Sequence, residues 1–434
     1  MPTEPLRSID RGLLPVGAPS SHPIRPLADT TTPAARTALW SLPSWRHALL
    51  ATSLTLALAA CGGSGGESGD GERLGLDSAD TAELQTHDRT KAGPTQSGQR
   101  RPDAQSTGTS SQPAATAAAS NHPRWTLTSP AEASRFLAQA SYGSSPKDIK
   151  ALTGRTANEW IEAQFSRPAT SLLNTMRYWQ QRSGKAITLT DAHNAWWYST
   201  VQQDQLRQRV AFALSQIFVV STNGDVSHFP KGIASYYDML ARNAFGNFRQ
   251  LLEDVTLHPM MGVYLTHIGN HKERFDSTGK LTQAPDENYA REVMQLFTIG
   301  LEQLNLDGTP KKDAQGRPIP TYSNNDVIGL ARVFTGWSWN GGRLTHECFF
   351  RAGYCAENTN ERETRPMVAY DQYHSTLEKR FLGTTIAEGQ SRTTADLKVA
   401  LDTLFNHPNV GPFIGRQLIQ RLVTSNPSPA YVRR

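Results

Sequence analysis

Cysteine is scarce: the 434 residues hold three, Cys61, Cys348 and Cys355, and no two form a Cys-x-x-Cys pair. No His-Glu-x-x-His, no phosphate-binding loop and no credible dinucleotide fingerprint occurs either. These absences argue against the common metalloprotease, NTPase and redox classes, and do not exclude an unfamiliar active site. Long apolar runs are missing too. The run Ala48–Ala60 is thirteen residues long, too short to span a bilayer as a helix. Charge of one sign is modest: 44 basic against 39 acidic residues give +5. Residues 1–60 carry five Arg and three acids, so without them about +3 remains. With no basic run interleaved with aromatics, a nucleic-acid partner is not expected.

What the front of the chain does hold is an address. Trp45-Arg46-His47 precedes the apolar run, which ends Leu58-Ala59-Ala60-Cys61 before Gly62-Gly63. Charge, short apolar core and small residues match a secretory signal. The end resembles a bacterial lipobox, in which Cys61 is diacylated and becomes the mature N-terminus; an ordinary signal peptide with a chance cysteine is the alternative. Gly62 in place of Asp implies, by resemblance to lipoprotein sorting, the outer membrane. The expectation is a lipid-anchored protein of the cell envelope, on either the periplasmic or the surface face. About 44 residues precede the signal, so the true start is expected downstream of Met1, for instance at Val16 or Leu39. Lipidation of Cys61 leaves Cys348 and Cys355 as an even pair in an oxidising compartment, flanking a loop with Gly353. A disulfide is expected there; a metal site with His346 is the alternative, but it lacks a fourth ligand.

Only 38% of the chain is hydrophobic, because Gly, Ser, Ala, Thr and Pro crowd the first 125 residues. The sequence divides into an extension and signal (1–60), a disordered tether (61–123) and a folded body (124–434). Gly62-Gly63-Ser64-Gly65-Gly66 matches a serine-hydrolase elbow formally, but no strand precedes it and no helix follows it. The body reads as one mainly helical, multi-helix domain with a small β-hairpin or irregular insertion. Ser129-Pro130-Ala131-Glu132, Ser145-Pro146-Lys147-Asp148 and Thr156-Ala157-Asn158-Glu159 each open a helix. Asp204–Ser221 is expected to be a central buried helix, ended by Asn223-Gly224. Helices follow over Pro230–Ala244, Asn247–His258, Pro259–Ile268, Val327–Phe334, Thr393–Phe405 and Val410–Thr424. Residues 340–383 are the least helical, with Met367–Tyr370 and Arg380–Leu382 as an expected antiparallel pair. Ser428-Pro429 starts a helix six residues before the last one, which reads as a truncated C-terminus.

The stretch that organises the body is Pro285–Leu301. On a helical wheel Glu287, Asn288, Arg291, Glu292, Gln295 and Thr298 share one sector; Tyr289, Ala290, Val293, Met294, Leu296 and Phe297 fill the other. Glu287 and Arg291 are spaced for an ion pair. The charged face either pins neighbouring loops, meets solvent, or lines a cleft where a carboxylate acts as general base and Arg291 holds an anion. His374, in a polar loop with Glu378 and Lys379, is the histidine best suited to join Glu287, Arg291 and Glu292 as acid or base. His267 and His271 have ligand spacing, but Gly269-Asn270 reads as a helix end, so no metal site is assigned. His258 and His407 precede prolines and suit caps or turns. Tyr264, Trp337 and Trp339 suit a core or a pocket lining.

Several strings carry a family likeness: Pro285 through Leu301, Phe334-Thr-Gly-Trp-Ser-Trp, His407 through Ile419, Arg135 through Gly143, His258 through Leu265, and His374 through Gly383. Together they resemble the bacterial domain-of-unknown-function 1800 family, from about Ser129 to the last residue. The resemblance implies an exported, mostly helical protein, often encoded beside a second exported family, numbered 1501, as a possible partner. It implies no agreed activity and no cofactor. Family domains run past the Ser428 string, which agrees with truncation. Three functions stay open: a binding or scaffolding module acting with another exported protein, an envelope hydrolase built around the 285–301 helix, or an inactive gene fragment.

Overall fold

A computed structural model describes residues 125–341, 344–351 and 361–434. The body is helical, with three small two-stranded antiparallel sheets among the described residues. The lipobox, Cys61, the tether and Cys355 lie outside the described residues. No described helix is long and apolar enough to cross a membrane.

The first three helices are α1 (Pro130–Ala140), α2 (Pro146–Leu152) and α3 (Ala157–Phe165). Ser129, Ser145 and Thr156 each accept an amide hydrogen from three residues on, as their sequence pattern implies. Leu127, Ala133, Phe136, Leu137, Leu152 and Ala157 form a small core of their own. A second, far larger core runs through the helices from Leu172 to Leu422.

The hub of that larger core is not the expected one. Asp204–Ser221 is helical only over α6 (Gln205–Ser215). The stretch from Ile217 to Val220, β-branched at Ile217, Val219 and Val220, does not continue the helix, and the Phe218 carbonyl is taken by the Tyr236 hydroxyl at 2.8 Å. The centre is instead α7 (Pro230–Arg242), buried continuously from Ala234 to Ala241. It packs against α4 (Leu172–Ser183), α5 (Leu189–Ser199), α6, α8 (Phe248–Leu257) and α9 (Pro259–Tyr264). Gly232 lets α9 approach: a Cβ there would lie 2.6 Å from Met260 Sδ. His258 caps α9, its Nδ1 accepting from the Met260 amide. α9 is shorter than expected because the chain leaves the helix at Thr266, in the left-handed region at φ 60°.

The organising helix is shorter as well. α10 (Asn288–Gln295) begins after Glu287 and ends at Gln295, where the expected helix ran to Leu301. Beyond it the chain tightens into wide turns, with the Ile299 and Gly300 amides both donating to Met294 O, and Gly300 turning at φ 70°. Tyr289, Ala290, Val293, Met294 and Phe297 are buried as the wheel implies, but Leu296 is exposed. Tyr289 stacks on His267 with ring centroids 3.9 Å apart.

The pairing expected between 367–370 and 380–382 does not form. Val368–Ala369 pairs with Trp337–Ser338, and Lys379–Phe381 turns back on Thr384–Ile386. The reason is local: Leu382 and Gly383, both at positive φ, make a two-residue hairpin turn. α11 (Asn324–Val333) lies against Lys379–Phe381, and Trp337 and Trp339 are core residues. After α12 (His346–Phe350) the chain closes with α13 (Thr393–Phe405), α14 (Val410–Leu422) and α15 (Pro429–Arg433), the last capped by Ser428.

Candidate functional site

The charged face of α10 is a paired, half-exposed surface. Arg291 Nη2 lies 3.1 Å from Glu287 Oε2, and both side chains are more than a third exposed. Such a pair contributes about 0–1 kcal/mol. Below it, Asp286 accepts from the Asn288 amide and from Thr266 Oγ1, while Asn270 and Asp286 exchange two hydrogen bonds. The left-handed Thr266 is thereby tied to the start of α10. Glu292 differs from its neighbours. Its Oε2 is buried with no hydrogen-bond partner among the described residues. Burial pushes its pKa up, and the Arg291 guanidinium only partly offsets that.

His374 belongs to another set of residues. It is 2% exposed. Its Nδ1 lies 2.8 Å from Thr335 O and its Nε2 3.0 Å from Asp396 Oδ2, so both ring nitrogens face acceptors. Lys379 is fully buried beside it and points Nζ at Ser375 O (2.7 Å), Ser391 Oγ (2.6 Å) and Asp396 Oδ2 (3.0 Å), which uses all three ammonium hydrogens. Burial would raise the Asp396 carboxyl, but the bonds from His374 and Lys379 outweigh it and hold the pKa below the usual value. Desolvation pulls the Lys379 ammonium down against the same carboxylate. Ser375 Oγ then donates to Glu273, which also receives Arg332 Nε at 2.7 Å. This network ties the start of the first hairpin, α11, the 374–379 loop and α13 together. No described hydrogen bond or ion pair joins it to Glu287, Arg291 or Glu292.

Other candidates are placed as follows. His267 is buried, with Nε2 2.9 Å from Thr256 O. His271 bonds the Lys272 carbonyl, and His407 Nδ1 accepts from the Asn409 amide in a turn. No group of three His, Cys, Asp or Glu side chains among the described residues is arranged to hold a metal ion. Cys348 is buried and disulfide-bonded.

The feature that does face outward is on α4 and α5. Nothing in the sequence reading anticipates these two helices, although Ser171 and the Thr188–Asp191 capping box signal both starts. The buried Asp238 carboxylate on α7 accepts from Ser171 Oγ and the Leu172 and Leu173 amides, fixing α4 by its N-terminus. Leu172, Leu173 and Met176 of α4 and Ala192 and Ala195 of α5 turn inward. The outer side carries Tyr178 (54% exposed), Trp197 (66%), Tyr198 (46%) and, just past α5, Val201 (74%). Trp179 meets Tyr198 edge-on at 6.0 Å, linking the two helices, and the Arg182 guanidinium sits 5.7 Å from the Tyr178 ring centroid. The result is an aromatic ridge with an Arg on it.

A family model described as "Protein of unknown function (DUF1800)" matches residues 135–434, from within α1 through α15. The chain belongs to the DUF1800 family. No curated protein and no solved structure matches it. The DUF1800 domain thus includes the α10 face, the buried His374 network and the ridge.

Proposed function

We propose that this DUF1800 protein is an envelope binding module, held by diacylated Cys61 on a tether, that meets a second exported protein through the α4–α5 ridge. One observation carries the reading: three large aromatic side chains, Tyr178, Trp197 and Tyr198, stand exposed on adjoining helices, with Val201 exposed just past the second. Exposed patches of this kind mark interaction surfaces, and Trp, Tyr and Arg are the residues that dominate binding energy in them. By the resemblance above, a protein of the exported family numbered 1501 is the expected partner.

The test is affinity capture from an envelope extract, comparing wild type with a Tyr178→Ala/Trp197→Ala/Tyr198→Ala variant. Because these side chains are exposed, each change should alter stability by no more than about 0.5 kcal/mol. Wild type should recover one exported protein that the variant loses. Identical recovery, or none, would remove the proposal. Cys61→Ser should move the protein out of the membrane fraction; unchanged fractionation would remove the anchor.

The second reading, an envelope hydrolase, rests on Glu292, whose Oε2 is buried without a hydrogen-bond partner among the described residues and whose pKa burial raises, which suits a general base beside Arg291. It is the weaker reading, since both nitrogens of His374 are already engaged elsewhere.

A further inference from the structure

A cleft separates the small N-terminal core from the rest of the body. Two hollows of about 370 and 310 Å³ share Asp148, Trp160, Gln164 and Arg167 on their walls. The far wall is the loop before α6, which brings Gln202 and Gln203. The chemistry of this lining is specific. Gln164 is 5% exposed, and its Oε1 accepts the Leu206 amide at the start of α6. Its Nε2 has no partner among the described residues and is not sealed from the cleft. Gln203 Oε1 accepts from Arg167 Nη1, which fixes the amide and the guanidinium side by side with donors to spare. Trp160 supplies an indole, held edge-on by Phe136 at 5.4 Å.

Charge along the cleft cancels. Asp148 and Arg167 both line it, and Arg155 pairs with Glu159 at 3.6 Å. An anion such as a phosphate would gain nothing net from this balance. A ligand with many hydroxyls, each donor and acceptor at once, and with an apolar C–H face, would use every part of it: carboxamides for the hydroxyls, the indole for the face. We propose that this cleft binds a neutral oligosaccharide. The cleft borders the ridge at Val201, which lines it beside Gln202 and Gln203, but Tyr178, Trp197 and Tyr198 lie outside it.

The experiment is calorimetric titration of the full chain with the tetramer of β-1,4-linked N-acetylglucosamine and with maltotetraose, and with pyrophosphate as the anionic probe. One of the two sugars should bind with a Kd of about 1 mM or tighter. Arg167→Ala and Gln203→Ala should each weaken that binding at least about tenfold with Tm unchanged, since both side chains are exposed. Trp197→Ala, outside the cleft, should leave sugar affinity as it is. The proposal is overturned if neither sugar binds at roughly ten times that concentration. It is also overturned if pyrophosphate binds in place of the sugars, if both cleft variants bind like wild type, or if Trp197→Ala alone abolishes binding.

Discussion

Glu292 and Asp396 are two partly or wholly buried carboxylates with opposite fates. Glu292 has burial without a partner, so its folded-state pKa lies above its ordinary value. The ionised form therefore destabilises the fold at neutral pH, and that cost fades as pH falls through the raised value. Glu292→Gln should raise Tm by roughly 2 °C at pH 7.5, with the gap closing toward pH 4. A scan of Tm against pH checks it; a Gln variant that melts lower at pH 7.5 would show that the carboxylate has a partner. Asp396 has burial with partners. Asp396→Asn removes the carboxylate bonded to the buried Lys379 ammonium and leaves only the more distant Glu273 charge, which should cost about 3–5 kcal/mol. The Asp396→Leu/Lys379→Met double variant should cost less than that single change, because it removes both charges. Urea denaturation of the two variants decides it, and a double variant weaker than the single would sink the claim.

At the scale of elements, the closest packing lies between α11 and the Lys379–Phe381 strand. A Cβ on Gly329 would sit 1.9 Å from Arg380 O, a backbone atom that no rotamer change can move. Gly329→Ala should therefore cost about 1–3 kcal/mol despite alanine's better helix propensity. The measurement is the urea midpoint at unchanged slope, and a stabilised variant would mean the strand is free to shift. Helix starts are readable in the sequence because caps act locally: Ser129, Ser145, Thr156, Ser323 and Ser428 all begin helices. Helix ends are not. α6 and α10 both stop six residues before their expected ends, Ser221 and Leu301, because buried apolar residues pack equally well from a tight turn.

For the whole molecule, acid should be the weak side. His258 and His267 are buried, and burial pulls their pKa values down to about 3 and about 4. Unfolded rings take up protons near pH 6.5, while the folded rings wait until those lower values. Stability should thus fall as pH drops below 6.5, by about 1.4 kcal/mol per pH unit for each ring, the slope from His267 ending near 4. Asp396 adds to the loss at the acid end, since its depressed pKa stabilises the fold only while it stays ionised. Glu292 works in the opposite direction and is outnumbered. Urea midpoints at pH 7, 5.5 and 4.5 test this; a flat profile would mean that the two histidines are hydrated.

Local signals by themselves determined that the body is helical, where most helices begin, and which family the 285–301 string belongs to. Those properties depend on neighbours three or four residues apart, so a linear reading captures them. Only the tertiary structure decided that His374 and Lys379 share a buried carboxylate with α13, that Glu292 Oε2 has no hydrogen-bond partner among the described residues, and that Trp197 and Tyr198 face outward while Trp337 and Trp339 are enclosed. Periodicity tells that a helix has two faces; which face another element covers is set by contacts between residues far apart in the chain.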